Sequence, residues 1–224
     1  MGQHHDVTFP NETDDYRAAR DSLLAAEIEL RRQAEAVAAE RRALPPGGTL
    51  KQDYVFLSLA GDDVRLSQLF TEKSDDLLIY SFMYKTGGQA CPACTSLLDS
   101  LNGGAAHIKQ NLNLAVVAKA EPATLKAWAD GRNWANLTLL SSGQGTYNAD
   151  YKAEAEDESQ LPMVNVFRKT DGGIVHTWAS ELLYAAAETD QHPRHVDQIW
   201  PLWSVYDLTP AGRPADWFPA LAYT

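Results

Sequence analysis

The stretch GGQACPACTSLLDSL, from Gly87 to Leu101, contains both cysteines of a 224-residue chain, Cys91 and Cys94. Two thiols three positions apart can share a metal or pass through a disulfide. A thiol reacts as its thiolate, so a redox cysteine needs surroundings that favour the anion. Here an apolar strand ends at Tyr84, a glycine-bearing loop follows, and Cys91 stands where a helix should begin. Pro92 then falls at the first helical position, where a missing N–H costs nothing and a fixed φ suits the helix. Unpaired N–H groups and the positive dipole end would hold a thiolate at Cys91. Cys94, one turn inside, should be more buried and less acidic, suited to resolving a mixed disulfide formed at Cys91. Zinc needs four ligands, or three and a water, and no neighbouring His or Cys pair completes such a set. No metal and no cofactor is therefore expected.

The elements that must position this pair follow from periodicity. Residues 13–43 read as one long helix, acidic at its start and basic at its end, with Tyr16, Leu23, Leu30 and Val37 every seventh residue. Such a stripe should be covered by the domain's own sheet or by a second copy, making a homodimer through the N-terminal helix. Pro45-Pro46-Gly47-Gly48 stops the helix and reads as a short linker. This divides the chain into a helical arm, 1–46, and a domain, 47–224. Within the domain, YVFLSL (54–59) and VRL are strands, and SQLF opens a helix. LLIYSFMY (77–84) is a buried central strand. A helix carries the cysteines to about Gln110, interrupted by Gly103-Gly104. LNLAVVA (112–118), a helix from Pro122 to Trp134, LTLL (137–140) and a hairpin turning at Asp171-Gly172-Gly173 complete an α/β pattern.

Pro162 stands just before the hairpin, after an acidic loop, a place suited to a cis Leu161–Pro162 bond. Asn148 and Asp150, between Tyr147 and Tyr151, either order their own loop or line the cysteine pocket. His176, in the hairpin's second strand, is a further pocket candidate. His192 and His195, in HPRH, read as a solvated loop, because the intervening Pro and Arg spoil a ligand-bearing face. The aromatic C-terminal segment, with Trp200, Trp203, Tyr206, Trp217 and Phe218, reads as core or dimer interface.

The order strand, CxxC at a helix start, helix, strand, helix, then proline and hairpin resembles thioredoxin-like proteins. LSLAGDDVRLSQLF is similar to the entry of the peroxiredoxin branch. CPAC, NWANLTLLSSGQGTYNADY, VHTWA and WPLWSVYDLTPAGR resemble, over nearly the whole chain, an uncharacterised bacterial thioredoxin-like family. The resemblance implies a central mixed sheet flanked by helices, with an N-terminal helical extension, and a cis-proline facing the CxxC. The resemblance to the thioredoxin fold also implies that Leu161 and Pro162, with Pro92, shape a substrate groove. It implies no substrate. The chain departs from thioredoxin in having Pro92-Ala93 between the cysteines. No acidic residue in LLIYSFMY matches thioredoxin's buried aspartate; Ser81 and Lys85 are the polar residues placed nearest.

The function expected is thiol–disulfide exchange, with Cys91 as nucleophile and Cys94 as resolving thiol. A thiol peroxidase and a non-enzymatic interaction module are the rivals. The partner would be a disulfide-containing protein or a small-molecule thiol substrate. The net charge of −11, with 19 Lys and Arg against 30 Asp and Glu, argues against nucleic acid. No apolar run approaches a membrane span and no signal peptide is visible, so a cytoplasmic protein is expected. In a reducing compartment a lone CxxC is more often catalytic than structural.

Overall fold

The computed structural model describes residues 4–189 and 191–223. The chain falls into two compact units that meet at Pro45 and Pro46. The first is built on helix α1, Asp14–Ala43. Thr13 caps it, its hydroxyl accepting the N–H of Tyr16 at 3.2 Å. Asp14 and Asp15 lie in the first turn and Arg41 and Arg42 in the last, each complementing the dipole. No residue of α1 is buried, and Tyr16, Leu23 and Leu30 are among the exposed large side chains.

The second unit is a seven-stranded mixed sheet in the order β2-β1-β5-β4-β3-β6-β7. Its strands are β1 (Val55–Ser58), β2 (Asp63–Arg65), β3 (Asp76–Ser81), β4 (Asn113–Ala118), β5 (Leu139–Ser141), β6 (Val164–Thr170) and β7 (Gly173–Ala179). β3, β4 and β5 run parallel, while β1, β2, β6 and β7 add antiparallel flanks. Parallel neighbours need crossovers, and helices α2 (Pro92–Ile108) and α3 (Pro122–Arg132) supply them. SQLF forms only a single 3-10 turn, Leu66–Leu69.

Alternation along the central strands sorts the core into two layers. Tyr80 of β3 and Phe82 just past its end, with Leu114, Val116 and Ala118 of β4, face α2 and α3. Leu77, Ile79, Ala115 and Val117 face the opposite layer, with Phe56, Tyr147 and Phe167. The face beneath α2 therefore contains Tyr80, directly under the cysteines.

Three expectations need correction. Helix α2 runs unbroken through Gly103 and Gly104, because Leu97, Leu98, Leu101 and Ala105 anchor one face of it in the core. The Pro-Pro-Gly-Gly segment is a linker only at its prolines, where the two units divide. Gly48 accepts the N–H of His176 at 2.9 Å, and Thr49 bridges to Val175, so the chain lies along β7. A Cβ at Gly47 would stand 2.1 Å from the His176 carbonyl oxygen, so only glycine fits this approach.

The third correction concerns the Leu161–Pro162 bond, which is trans; no cis peptide occurs among the described residues. The N–H of Met163 donates to the carbonyl of Leu161 at 3.0 Å, which places Pro162 at the centre of a three-residue turn. That turn redirects the chain into β6 without a cis bond.

Gly103 is exposed within α2, and nothing lies within 4 Å of a Cβ added there. Gly103→Ala should raise stability by about 0.5–1 kcal/mol through a smaller loss of backbone entropy. A denaturant midpoint unchanged or lowered by the substitution would contradict this.

Candidate active site at the start of helix α2

Cys91 is the N-cap of α2. Its sulfur accepts the N–H of Cys94 at 3.3 Å, in the role a serine or aspartate oxygen commonly takes at a helix start. The loop that carries it is folded back on the strand before it: the Cys91 N–H donates to the carbonyl of Met83 at 3.1 Å. Both thiols are free, Cys91 half-buried and Cys94 buried.

Their environments drive the two thiols apart. The Cys94 thiol, hydrogen-bonded to the Cys91 sulfur, is the main influence that lowers the pKa of Cys91 to about 6. Burial opposes it, and the N–H groups of Cys94 and Ala93 assist it. Cys94 moves the other way, well above an ordinary thiol, through the same hydrogen bond, burial and the Cys91 charge. One thiol is thus poised as a half-buried anion and the other as a buried, protonated neighbour.

Beneath them lies Tyr80, fully buried. Its phenol is held far from ionisation, chiefly by burial and then by Cys94, and its hydrogen bond to Cys94 partly offsets the rise at that thiol. A tyrosine, not a carboxylate, therefore lies against Cys94. The strand pattern contained the signal, since alternate residues share a face and Tyr80 is in phase with Phe82.

A cavity of about 350 Å³ opens beside the pair, with Cys91, Cys94, Tyr80, Met83 and Pro162 in its wall. The far wall comes from the C-terminal segment: His195, Val196, Trp200, Trp203 and Phe218. HPRH is a loop as expected, but solvated only in part: His192 and Arg194 are exposed, while His195 is half-buried along the cavity. Burial holds His195 below its usual pKa, offset by the charge of Asp197 and by the nearby Pro162 backbone. The His195 Nε2 and the Trp200 Nε1 are buried without a partner.

The segment is fastened in place. Arg213 spans Asp197 and Asp207, each at 2.8 Å, and its guanidinium lies 5.8 Å from the centre of the Trp203 ring. Further on, Arg132 of α3 donates to the carbonyl of Leu221 at 2.9 Å and pairs with Asp99 of α2.

The other sequence candidates lie elsewhere. Pro92 occupies the first turn of α2, as expected. Lys85 is exposed in the loop before the cysteines and does not line the cavity. Tyr147 is buried in the opposite core layer, against Phe56 and Tyr54, and Asn148 is buried beside it in helix α4, Tyr147–Asp150. Asp150 ties its own loop down through Lys51 at 2.8 Å and Tyr54 at 3.0 Å. His176 bonds Asn165 at 3.0 Å, and both border a separate cavity with Asp150. Of the two roles open to the Asn148 and Asp150 loop, the ordering one is what these contacts describe.

A model of a bacterial protein family of unknown function, DUF899, matches residues 5–223. Among curated proteins none matches. Among solved structures, a cysteine-to-serine mutant of PrxQ from Xylella fastidiosa superposes with a TM-score of 0.51 at 11% identity, covering 72% of this chain and 96% of that one. Peroxidoxin BcpB from Mycobacterium tuberculosis gives 0.47 at 17% identity, over 70% and 95%. A secreted disulfide oxidoreductase from the same organism gives 0.40 at 15% identity, over 67% and 96%. The fold is thioredoxin-like.

Two outcomes follow from the paired thiols. The rate of Cys91 alkylation by iodoacetamide should rise to a plateau with a midpoint near pH 6, where an ordinary cysteine would have it at about 8.5. Peptide mass mapping should find Cys94 unmodified at neutral pH, and a Cys91 rate still climbing above pH 8 would contradict the assignment. Tyr80→Phe removes the donor at Cys94 and should slow closure of the Cys91–Cys94 disulfide several-fold, while leaving the alkylation midpoint of Cys91 within about half a unit. Stopped-flow release of thiol from a preformed mixed disulfide measures the first effect.

Proposed function

The chain belongs to DUF899, a family of bacterial proteins of unknown function, and we propose that this member is a thiol–disulfide oxidoreductase. The observation that carries the reading is the asymmetry of the pair: a half-buried thiol capping a helix and lowered to about pKa 6, beside a buried thiol raised well above its usual value. A vestigial pair has no reason to be polarised in this way. The solved proteins of similar fold are named as a peroxidoxin, a PrxQ and a disulfide oxidoreductase, which is consistent with redox chemistry.

The geometry suits the following sequence. The Cys91 thiolate attacks one sulfur of a disulfide R–S–S–R, forming Cys91–S–S–R and releasing RS⁻. Cys94 loses its proton and attacks the Cys91 sulfur, giving the Cys91–Cys94 disulfide and a second RS⁻. Two electrons pass from the protein dithiol to the substrate, and an external dithiol returns the protein to its reduced state. Attack must begin at Cys91, because Cys94 is both buried and protonated. Tyr80, bonded to Cys94, lies where it can ease the departure of that proton.

The protein should turn over hydroxyethyl disulfide with dithiothreitol as reductant, and both cysteines should be needed. Cys94→Ser should accumulate a mixed disulfide on Cys91, seen as an added mass on the intact protein. Cys91→Ser should accumulate none. Absence of adduct from both variants, with no turnover by the unmodified protein, would sink the proposal and favour a non-enzymatic interaction module.

A further inference from the structure

We propose that the cavity beside Cys91 is a binding site for low-molecular-weight, uncharged, apolar disulfides, aryl or alkyl, and that these rather than polypeptides are the substrate class. The inference rests on the exchange chemistry proposed above and specifies what that chemistry acts on.

Three observations carry it. The first is that the main chain before β6 has no donor left for an extended peptide. The N–H of Leu161 goes to Ala153 at 2.9 Å, that of Met163 to Leu161 at 3.0 Å, and that of Val164 to the Ser180 hydroxyl at 2.9 Å. Pro162, as a proline, has no N–H to offer. A polypeptide lying across this edge would find no main-chain donor, and so lacks half of the pairing that recognises extended chains independently of sequence.

The second is the wall itself. The clamped C-terminal segment stands over the thiols and leaves a cavity of about 350 Å³, near the lower end of the roughly 300–1,000 Å³ usual for small-molecule sites. Met83, Leu97, Val196, Trp200 and Phe218 provide the apolar surface. The buried, unpartnered His195 Nε2 and Trp200 Nε1 belong to residues of the same wall. They are two fixed polar points for orienting a small guest within an otherwise apolar site.

The third is charge. The ionic residues at the rim are already paired: Arg194 lies 3.5 Å from Asp197 and 3.1 Å from Asp207, and Asp197 is also held by Arg213. Nothing in this arrangement recruits a substrate rich in carboxylates, and burying one here would leave its charge unpaired. Glutathione disulfide is therefore a poor fit, and a neutral aryl disulfide a good one. The chemistry balances as written above: R–S–S–R takes two electrons from the Cys91–Cys94 dithiol and leaves as two R–SH.

The test measures reaction of the reduced full-length protein with dipyridyl disulfide, glutathione disulfide and insulin. Each rate is divided by that disulfide's rate with free cysteine thiolate, which removes leaving-group effects. The normalised rate for dipyridyl disulfide should be saturable and at least about tenfold above the other two. Phe218, which is 57% exposed and tolerates truncation without a buried void, gives the variant that should fold. Phe218→Ala should raise the KM for dipyridyl disulfide about fivefold by loss of apolar contact. Leu208→Ala, exposed and outside the cavity wall, should not. Equal normalised rates for insulin or glutathione disulfide, or a KM unmoved by Phe218→Ala, would overturn the substrate class while leaving exchange at Cys91 intact. Loss of reaction with all three disulfides would instead overturn the exchange chemistry itself.

Discussion

The site depends on one sulfur completing one helix. The first turn of α2 has N–H groups that no helical carbonyl can reach, and Cys91 meets that need at 3.3 Å. A sulfur accepts weakly as a thiol and strongly as a thiolate, so the helix start and the anion stabilise each other. Burial works against the charge, and the neighbouring Cys94 thiol tips the balance toward it. The rest of the domain serves this contact. Parallel strands β3 and β4 require a crossover, the crossover is α2, and its start must fall at the carboxyl end of β3. In open α/β sheets that end is where ligands collect.

Much of this was legible from local pattern. The cysteine spacing, the proline between them and the apolar run before them place a capped thiol without any knowledge of the fold. The hairpin was written in its Asp-Gly-Gly turn, and the buried strands in their unbroken apolar runs. What local pattern could not supply was the far wall of the cavity. His195 and Trp200 lie about a hundred residues from Cys91 in sequence, and nothing in HPRH or the tryptophans that follow says what they will cover. The same limit explains Tyr147, Asp150 and His176. Polar residues beside tyrosines suggest a pocket equally well on either layer of a sheet, and the structure puts these on the layer away from the thiols.

Pro162 and Tyr80 show opposite kinds of misreading. A proline before a strand was read by its commonest meaning in the resembling fold, whereas here a tight turn at Met163 does the same work with a trans bond. A tyrosine within a continuous apolar run reads as core, and apart from its phase with Phe82 nothing in the run marks its phenol as a neighbour of a thiol. Its phenol gives Cys94 a hydrogen-bonding neighbour, yet being fully buried it brings no second negative charge under the Cys91 anion.

The approach of Gly47 to β7 has a consequence for how the protein behaves in company. A long sheet ends in two strands whose outer main-chain groups are open to pairing with another molecule. On one side that strand, β2, is only three residues long and offers little to copy. On the other, the incoming chain takes up the outward groups of Ile174 and His176 with those of Leu50 and Gly48. Gly47, which lets it lie so close, therefore acts as a guard rail, protecting the sheet from its own neighbours at high concentration. A side chain at position 47 would threaten solubility before it threatened the distant thiols.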